Sequence, residues 1–254
     1  MSEKGNQAVK TVSFMMLITL FGKILGMVRE QLLAANYGTD MQAAAFLLAS
    51  RIPRTFFDVI FASAISASFI PVFVEYLQKK GRQEAFSLAN RFITMISTVT
   101  LLMMLLGMAF AKPLTLLIAP GYDVETVTLC VGLLRMLFPT MLFTAVAFSF
   151  VGILQSLEEF NVPAALSVVS NGVLILYYIF FNEKFGILGL TAAFLIGWAM
   201  QAVIQIPSLW KKGYHYHPDF HFKDEGLRKI GKLMLPVMVS TWIQPINFMV
   251  NTRF

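Results

Sequence analysis

Charged side chains lie in two apolar stretches near the N-terminus, where a membrane span is expected to carry none. They are Lys23, Arg29 and Glu30 in the first stretch, and Arg51, Arg54 and Asp58 in the second. Each charge costs about 2.5–3.5 kcal/mol at the centre of a bilayer on insertion scales. Such charges are kept where they face a water-filled cavity. We therefore expect a cationic cavity inside a helix bundle, suited to binding an anion.

The spacing of these residues favours a phosphate-type ligand. Arg51 and Arg54 are three residues apart and share one face of a helix. Arginine offers a planar fork of donors and stays charged at any pH, so converging arginines suit a pyrophosphate better than a carboxylate. The alternative is that Arg29–Glu30 and Arg54–Asp58 are ion pairs that hold helices together. Pairing alone leaves two of the four cations unexplained.

Small and kinking residues flank the charges. Gly22 and Gly26 form a G-x-x-x-G pair, which permits close approach of another helix. A bend or tight crossing there would bring Arg29 to the helix face of Lys23. Pro53 lies between the two arginines of the second stretch, and proline kinks a helix by removing a backbone donor. Broken helices at membrane depth are typical of cavity walls, so we assign Pro53 a functional role.

Composition defines the class of protein. The chain has 254 residues, of which 57% are hydrophobic and 13% charged, whereas soluble domains carry about 25% charged residues. Its mean hydropathy is +0.70. Cys130 is the single cysteine, which excludes a disulfide scaffold. These features predict an all-α, polytopic membrane protein.

Seven stretches are long and apolar enough to cross a membrane, given about 20 residues per crossing. They are Thr11–Ala35, Ala43–Leu77, Leu88–Ala111, Val124–Leu157, Pro163–Phe181, Ile187–Leu209 and Ile230–Val250. The second and fourth are longer than one crossing needs. Pro53 and Pro139 predict kinks within them.

The loops predict orientation. Lysines and arginines concentrate in the N-terminal tail and in two loops, residues 78–87 and 211–229. The positive-inside rule places these segments and the N-terminus in the cytoplasm. On the opposite side, residues 111–122 contain Pro113, Pro120 and Gly121 and predict a re-entrant or interfacial turn. The last apolar stretch ends almost at the end of the chain, which suggests that residues 1–254 are a fragment of a longer protein.

No catalytic or cofactor-binding pattern accompanies these spans. Motifs of a serine nucleophile, a zinc protease or a P-loop are missing from the sequence. His215, His217 and His221 form an H-x-H…H pattern near Asp219, which we interpret as a solvated loop rather than a metal site. The sequence therefore predicts a transporter that needs no cofactor or metal, rather than an enzyme or a nucleic-acid-binding protein.

Short motifs along the whole chain resemble the N-terminal half of the MurJ (MviN) lipid II flippases of the multidrug/oligosaccharidyl-lipid/polysaccharide exporter superfamily. The similar segments are Phe21–Glu30, Ala35–Gly38, Arg51–Pro53, Ser68–Pro71, Ala119–Tyr122 and Ile246–Phe254. The resemblance implies about seven helices that form one lobe of a two-lobe exporter of roughly fourteen helices. It also implies export of a polyprenyl-pyrophosphate-linked saccharide across the bacterial cytoplasmic membrane by alternating access.

The resemblance assigns residues by position. Arg29 takes the place of the family's essential first-helix arginine, and Lys23 stands where another arginine is usual. Phe57 stands where the family has a further arginine, and Arg54 lies nearly a turn earlier. We expect the pyrophosphate to bind Lys23, Arg29, Arg51 and Arg54. The supporting residues would be Glu30, Asp58, Gly22, Gly26 and Pro53.

Two other functions stay open at the level of sequence. An exporter of a different polyprenyl-linked glycan would share the cationic cavity. A membrane scaffold that recruits cell-wall enzymes would depend on its cytoplasmic loops more than on the cavity charges. The partners expected are a lipid-linked pyrophosphate, membrane lipids and, for the scaffold, cell-wall synthesis proteins.

Overall fold

The computed structural model describes residues 3–38, 40–54 and 63–241, with side chains from Val12 onward. Its α-helices are α1 (Glu3–Tyr37), α2 (Met41–Pro53), α3 (Ile70–Lys79), α4 (Arg82–Ala109), α5 (Ala111–Ile118), α6 (Val124–Leu137), α7 (Thr140–Ser156), α8 (Asn161–Ala164), α9 (Leu166–Phe180), α10 (Asn182–Val203), α11 (Ile206–Lys211) and α12 (Glu225–Thr241). A π-helix, Ile65–Phe69, precedes α3.

Five helical segments of the described residues are long and apolar enough to cross a membrane: Val12–Tyr37, Arg82–Ala109, Val124–Ser156, Asn161–Phe180 and Asn182–Lys211. They correspond to five of the seven predicted spans, and the predicted all-helical membrane fold is confirmed. The second predicted span is divided between α2, the π-helix and α3. The seventh is described only as far as Thr241.

The two prolines mark the ends of helices. Pro139 separates α6 from α7, as a proline-induced kink predicts. Buried Pro53 is the last residue of α2. Asp58, the expected partner of Arg54, lies outside the described residues.

Two connections differ from expectation. Residues 111–118 form α5 rather than a turn, because Pro113 occupies the first turn of that helix, where its missing N–H carries no cost. The predicted loop 78–87 is a tight turn, because α3 continues to Lys79 and α4 begins at Arg82. Gly81 makes this turn possible with a φ of +87°.

Two buried clusters hold the helices together. In the first, the ring of Phe69 stacks on that of Phe92 at 4.6 Å and joins the π-helix to α4. In the second, residues of α2, α6, α9 and α10 pack around the stacked pair Phe194–Trp198. Many apolar side chains of α1 are exposed instead, and this helix packs mainly along α9.

The predicted loop 211–229 is also shorter than expected, because only residues 212–224 lack helical structure. The segment is fastened to α4. Buried Tyr214 donates from its hydroxyl to Asn90 Oδ1 at 2.7 Å. Arg91 donates to Asp219 at 2.9 Å and to Asp224 at 2.7 Å.

The histidines of this segment face water. His215, His217 and His221 are exposed. Hydrogen bonds from the backbone and the imidazole of His221, followed by that from Arg91, lower the pKa of Asp219 to about 2.

Candidate functional site: a cationic cleft between α1, α2, α9 and α10

One face of α1 brings Arg29 against α9. Gly22, Gly26 and Arg29 follow at helical spacing of four and three residues and therefore share that face. A Cβ added at Gly22 would overlap the hydroxyl of Ser167, and one at Gly26 would lie 3.5 Å from Asn171 Nδ2. The small residues thus allow α1 to approach α9 closely, and Arg29 follows them along the contact.

Asn171 of α9 bridges this contact. Its Nδ2 donates to the Gly22 carbonyl at 3.1 Å, and its Oδ1 accepts from Arg29 Nη1 at 3.0 Å. Because the side chain of Asn171 is buried, both of its polar ends need partners. The amide holds the guanidinium in place without neutralising its charge.

Arg54 is oriented by an aromatic pair on α10. Its guanidinium carbon lies 5.6 Å from the centroid of the Trp198 ring, within cation–π range. Trp198 itself stacks on Phe194 with the ring centroids 4.0 Å apart. The ring pair gives the exposed arginine an apolar platform near the end of α2.

Arg29 and Arg54 line two cavities in common. The first, which we call the Arg51 cavity, has a volume of about 310 Å³ and is also lined by Arg51, Ser50 and Tyr178. The second, the Gln201 cavity, has a volume of about 510 Å³. Its other polar or aromatic lining residues are Thr19, Phe148, Gln155, Phe160, Ser167, Ser170, Asn171, Trp198 and Gln201. The two arginines therefore lie where one cavity meets the other.

The structure brings three of the four predicted cations together and separates the fourth. Exposed Arg51 lines the Arg51 cavity with Arg29 and Arg54. Lys23 is exposed and lines a different, apolar groove beside Val12, Met16 and Leu20. Because α1 is one helix, its residue 23 points away from the Gly22–Arg29 face, and the expected approach of Lys23 and Arg29 does not occur.

Glu30 forms the ion pair that the sequence suggested. Its carboxylate lies 3.2 Å from Arg29 Nη2, but 73% of its side chain is exposed, against 17% for Arg29. Exposed pairs contribute about 0–1 kcal/mol. This contact therefore leaves Arg29 available to a ligand in the cavity.

Sequence reasoning left the polar residues of α9 and α10 undecided and missed the aromatic platform. Asn171 both lines the Gln201 cavity and joins two helices, and Gln201 lines the same cavity. Gln205, between α10 and α11, joins this connection to α7 by donating to the Ala147 carbonyl at 3.0 Å. The sequence did not identify Trp198 as a partner of Arg54, because a tryptophan in an apolar span is as typical of packing between helices as of a contact with a cation.

The chemistry available is electrostatic binding. Two or three guanidinium groups converge on shared cavities, and each charge-assisted hydrogen bond to a phosphate oxygen contributes about 1.5–3 kcal/mol. Among the described residues, no group of three or more His, Cys, Asp or Glu side chains is placed to hold a metal ion.

Solved structures with this arrangement of helices are transporters. A structure of lipid II flippase MurJ in an inward closed conformation matches with a TM-score of 0.77 and 26% identity, over 94% of this chain and 49% of that chain. A MOP superfamily transporter from Pyrococcus furiosus matches with a TM-score of 0.73 and 16% identity, over 93% of this chain and 53% of that chain. The chain has the multi-pass helical fold of these two solved structures.

Comparison of sequences narrows this class. The family model described as lipid II flippase MurJ matches residues 33–254. The probable lipid II flippase MurJ of Buchnera aphidicola subsp. Acyrthosiphon pisum is 31% identical over 242 residues, which are 94% of this chain and 47% of that protein. The lipid II flippase MurJ of Burkholderia cenocepacia is 24% identical over 243 residues, 92% of this chain and 47% of that protein. The chain belongs to the lipid II flippase MurJ family, and it spans about half the length of the curated relatives it matches.

Proposed function

We propose that this chain forms one lobe of a two-lobe flippase that moves lipid II from the inner to the outer leaflet of the bacterial cytoplasmic membrane by alternating access. Arg29 and Arg54 bind the pyrophosphate, and Arg51 extends the site along α2. The polyprenyl tail stays in the membrane. The chemistry is transport without covalent change.

The observation that carries this proposal is the position of Arg29 and Arg54 in the walls of both cavities. A ligand held by these two groups would lie where the two cavities meet, a position that alternating access would expose first to one side of the membrane and then to the other. The carboxylate paired with Arg29 belongs to Glu30, whose side chain is 73% exposed, so Arg29 keeps positive charge that attracts an anion. A drug exporter for cationic compounds would need the opposite charge.

The positions of the helix ends and of the basic residues support the proposed orientation of the chain in the membrane. The ends of α3, α7 and α11 and the start of α4 meet at one end of the bundle, where Lys212 contacts the Leu157 carbonyl and Arg82 contacts the Lys212 carbonyl. Lysines and arginines concentrate there, so the positive-inside rule makes this end cytoplasmic. The lining of the Gln201 cavity reaches toward the same end, since it includes Gln155 in the last turn of α7 and Phe160 just beyond that helix.

Complementation tests the proposal. The gene that encodes this chain, expressed at full length, is introduced into cells depleted of their own lipid II flippase, as wild type and as Arg29→Ala, Arg54→Ala and Arg135→Ala. Arg135 is the matched control, because it is an arginine of a span that contacts only the Met108 carbonyl in the described residues and lines neither cavity. Membrane insertion is followed by the amount of protein in the membrane fraction.

Growth with wild type and Arg135→Ala, and lysis with the two inserted cavity variants, is the expected result. Growth with every variant would contradict the role of the arginines. Failure of well-inserted wild type would contradict lipid II as the substrate and favour another polyprenyl-linked glycan. If replacing residues 213–223 by a neutral linker stopped growth while Arg29→Ala did not, the chain would be a scaffold instead.

A further inference from the structure

Large aromatic side chains are exposed beside lysines in residues 210–223, which we call the aromatic–basic loop. Phe220 is 68% exposed, Trp210 58% and Phe222 41%. The rings of Phe220 and Phe222 contact each other edge to face, with centroids 6.0 Å apart, rather than entering the core. Exposed apolar groups of this size at the edge of a bundle indicate an interaction surface.

The position of α4 gives the depth of this loop. The helix has 28 residues and is therefore about 42 Å long, whereas the hydrocarbon core of a bilayer is about 30 Å thick. Its exposed large hydrophobic residues lie between Val99 and Leu106. Counting about 20 residues back from Ala109 places the hydrocarbon boundary near Asn90.

The loop is fastened to α4 at this boundary. The hydroxyl groups of Tyr216 and Thr94 lie 3.0 Å apart, and the Asp219 amide donates to Thr94 at 3.1 Å. Together with the bonds of Arg91, these contacts hold the aromatic rings at the level where headgroups meet acyl chains. Aromatic residues are enriched at that level in membrane proteins.

The charge of the loop suits an anionic surface. Arg91 pairs with Asp219 and Asp224, which are the acidic groups nearest to the rings, and His221 also contacts Asp219. Lys212 is engaged by the Leu157 carbonyl. Lys211 and Lys223 are exposed at the two ends of the loop and remain as surplus positive charge.

We propose that the aromatic–basic loop is an interfacial anchor that binds anionic phospholipid headgroups through Lys211 and Lys223 while Phe220 and Phe222 enter the headgroup–acyl boundary. Its rigid attachment to α4 fixes the height of the bundle in the bilayer. This inference requires that the chain spans a membrane and is independent of the transported substrate.

Depth-dependent quenching tests the anchor. The full-length protein, with Cys130 and any other native cysteine replaced by alanine, carries an environment-sensitive fluorophore at Phe220→Cys. It is placed in nanodiscs of phosphatidylcholine, with or without phosphatidylglycerol. Quenchers are lipids with a nitroxide just below the headgroup, and aqueous iodide. The matched control is Gln83→Cys, an exposed residue in the first turn of α4, about 16 Å along the helix from Thr94.

The anchor predicts quenching by the shallow nitroxide at position 220 and by iodide at position 83. Phosphatidylglycerol should increase the nitroxide quenching at position 220. Lys211→Gln and Lys223→Gln together should remove most of this increase, since each lysine near an anionic surface changes binding to it roughly fivefold. Iodide quenching at position 220 equal to that at position 83 would show a loop in water. Protection from both quenchers would show that protein covers the rings, and either result overturns the proposal. Unchanged lipid preference in the lysine variants would overturn the electrostatic part.

Discussion

Arg29 and Arg91 are both arginines of long apolar helices, and the structure surrounds them differently. Arg91 reaches two carboxylates, Asp219 and Asp224, whose side chains are 22% and 17% exposed. Arg29 reaches the neutral amide of Asn171 and the largely exposed carboxylate of Glu30. The first arginine has its charge neutralised locally, whereas the second keeps it.

Under the proposed function, this difference separates a structural arginine, Arg91, from a ligand-binding arginine, Arg29. A buried charge needs compensation, and Arg91 obtains it within the chain by holding residues 212–224 against α4. At Arg29 an amide fixes the geometry, and a cavity remains open beside the guanidinium. Under the proposed function, the pyrophosphate supplies the remaining compensation there. The following changes test the surroundings of the two arginines, from the largest expected effect to the smallest.

Removing the structural arginine should cost stability. Arg91→Ala deletes two charge-assisted hydrogen bonds and leaves Asp219 and Asp224 without their shared partner, so the free energy of unfolding should fall by about 2–3 kcal/mol. Thermal unfolding in detergent measures this loss. Arg135→Ala is the control and should change it by less than about 1 kcal/mol. A loss of transport per folded molecule in Arg91→Ala would contradict the division between the two arginines.

Gly22 should be more sensitive than Gly26, although both belong to the same G-x-x-x-G pair. A Cβ at Gly22 meets Ser167, whereas one at Gly26 makes only an ordinary contact with Asn171 at 3.5 Å. Gly22→Ala should therefore cost about 1–3 kcal/mol of stability by pushing α1 from α9. Ser167→Ala in the same chain should restore most of it. Equal effects at the two glycines would contradict the close approach at Gly22.

Asn171→Asp should turn Arg29 into a paired arginine like Arg91. The new carboxylate accepts the same hydrogen bond and neutralises the guanidinium, but it can no longer donate to the Gly22 carbonyl. Transport per inserted molecule should therefore fall about tenfold, equivalent to about 1.4 kcal/mol, and the variant should also lose stability. Asn182→Asp is the matched control, because Asn182 bonds Tyr37 and Asn36 and no cation. Wild-type transport by Asn171→Asp would show that the charge of Arg29 is not used.

Acid should weaken the contacts of Arg91. The pKa of Asp219 is lowered to about 2 by hydrogen bonds from His221 and Arg91, so Asp219 contributes stability above its unfolded pKa of about 4. This contribution should be lost as pH falls from about 4 to about 2. Unfolding measured across this range in wild type and Asp219→Asn should show a step that the variant lacks. The same step in both proteins would exclude Asp219 as its source.

The sequence predicted the membrane fold and the importance of charge, because isolated charges in apolar runs are costly wherever they lie. It also identified the break at Pro139, since proline limits the backbone locally. It did not place Lys23, because the direction of a side chain depends on which face of α1 meets α9. Trp198 and the anchoring of residues 212–224 depend on contacts between segments more than a hundred residues apart, which no local pattern contains.

Equilibrium binding of lipid II to the full-length protein in nanodiscs would test the central claim most directly. Wild type, Arg29→Ala with Arg54→Ala, and Arg91→Ala would be compared side by side. We predict binding weaker by about one hundredfold in the cavity double variant, from roughly 1.5 kcal/mol for each lost charged contact, and unchanged binding in folded Arg91→Ala. Wild-type affinity in the cavity double variant would contradict the account.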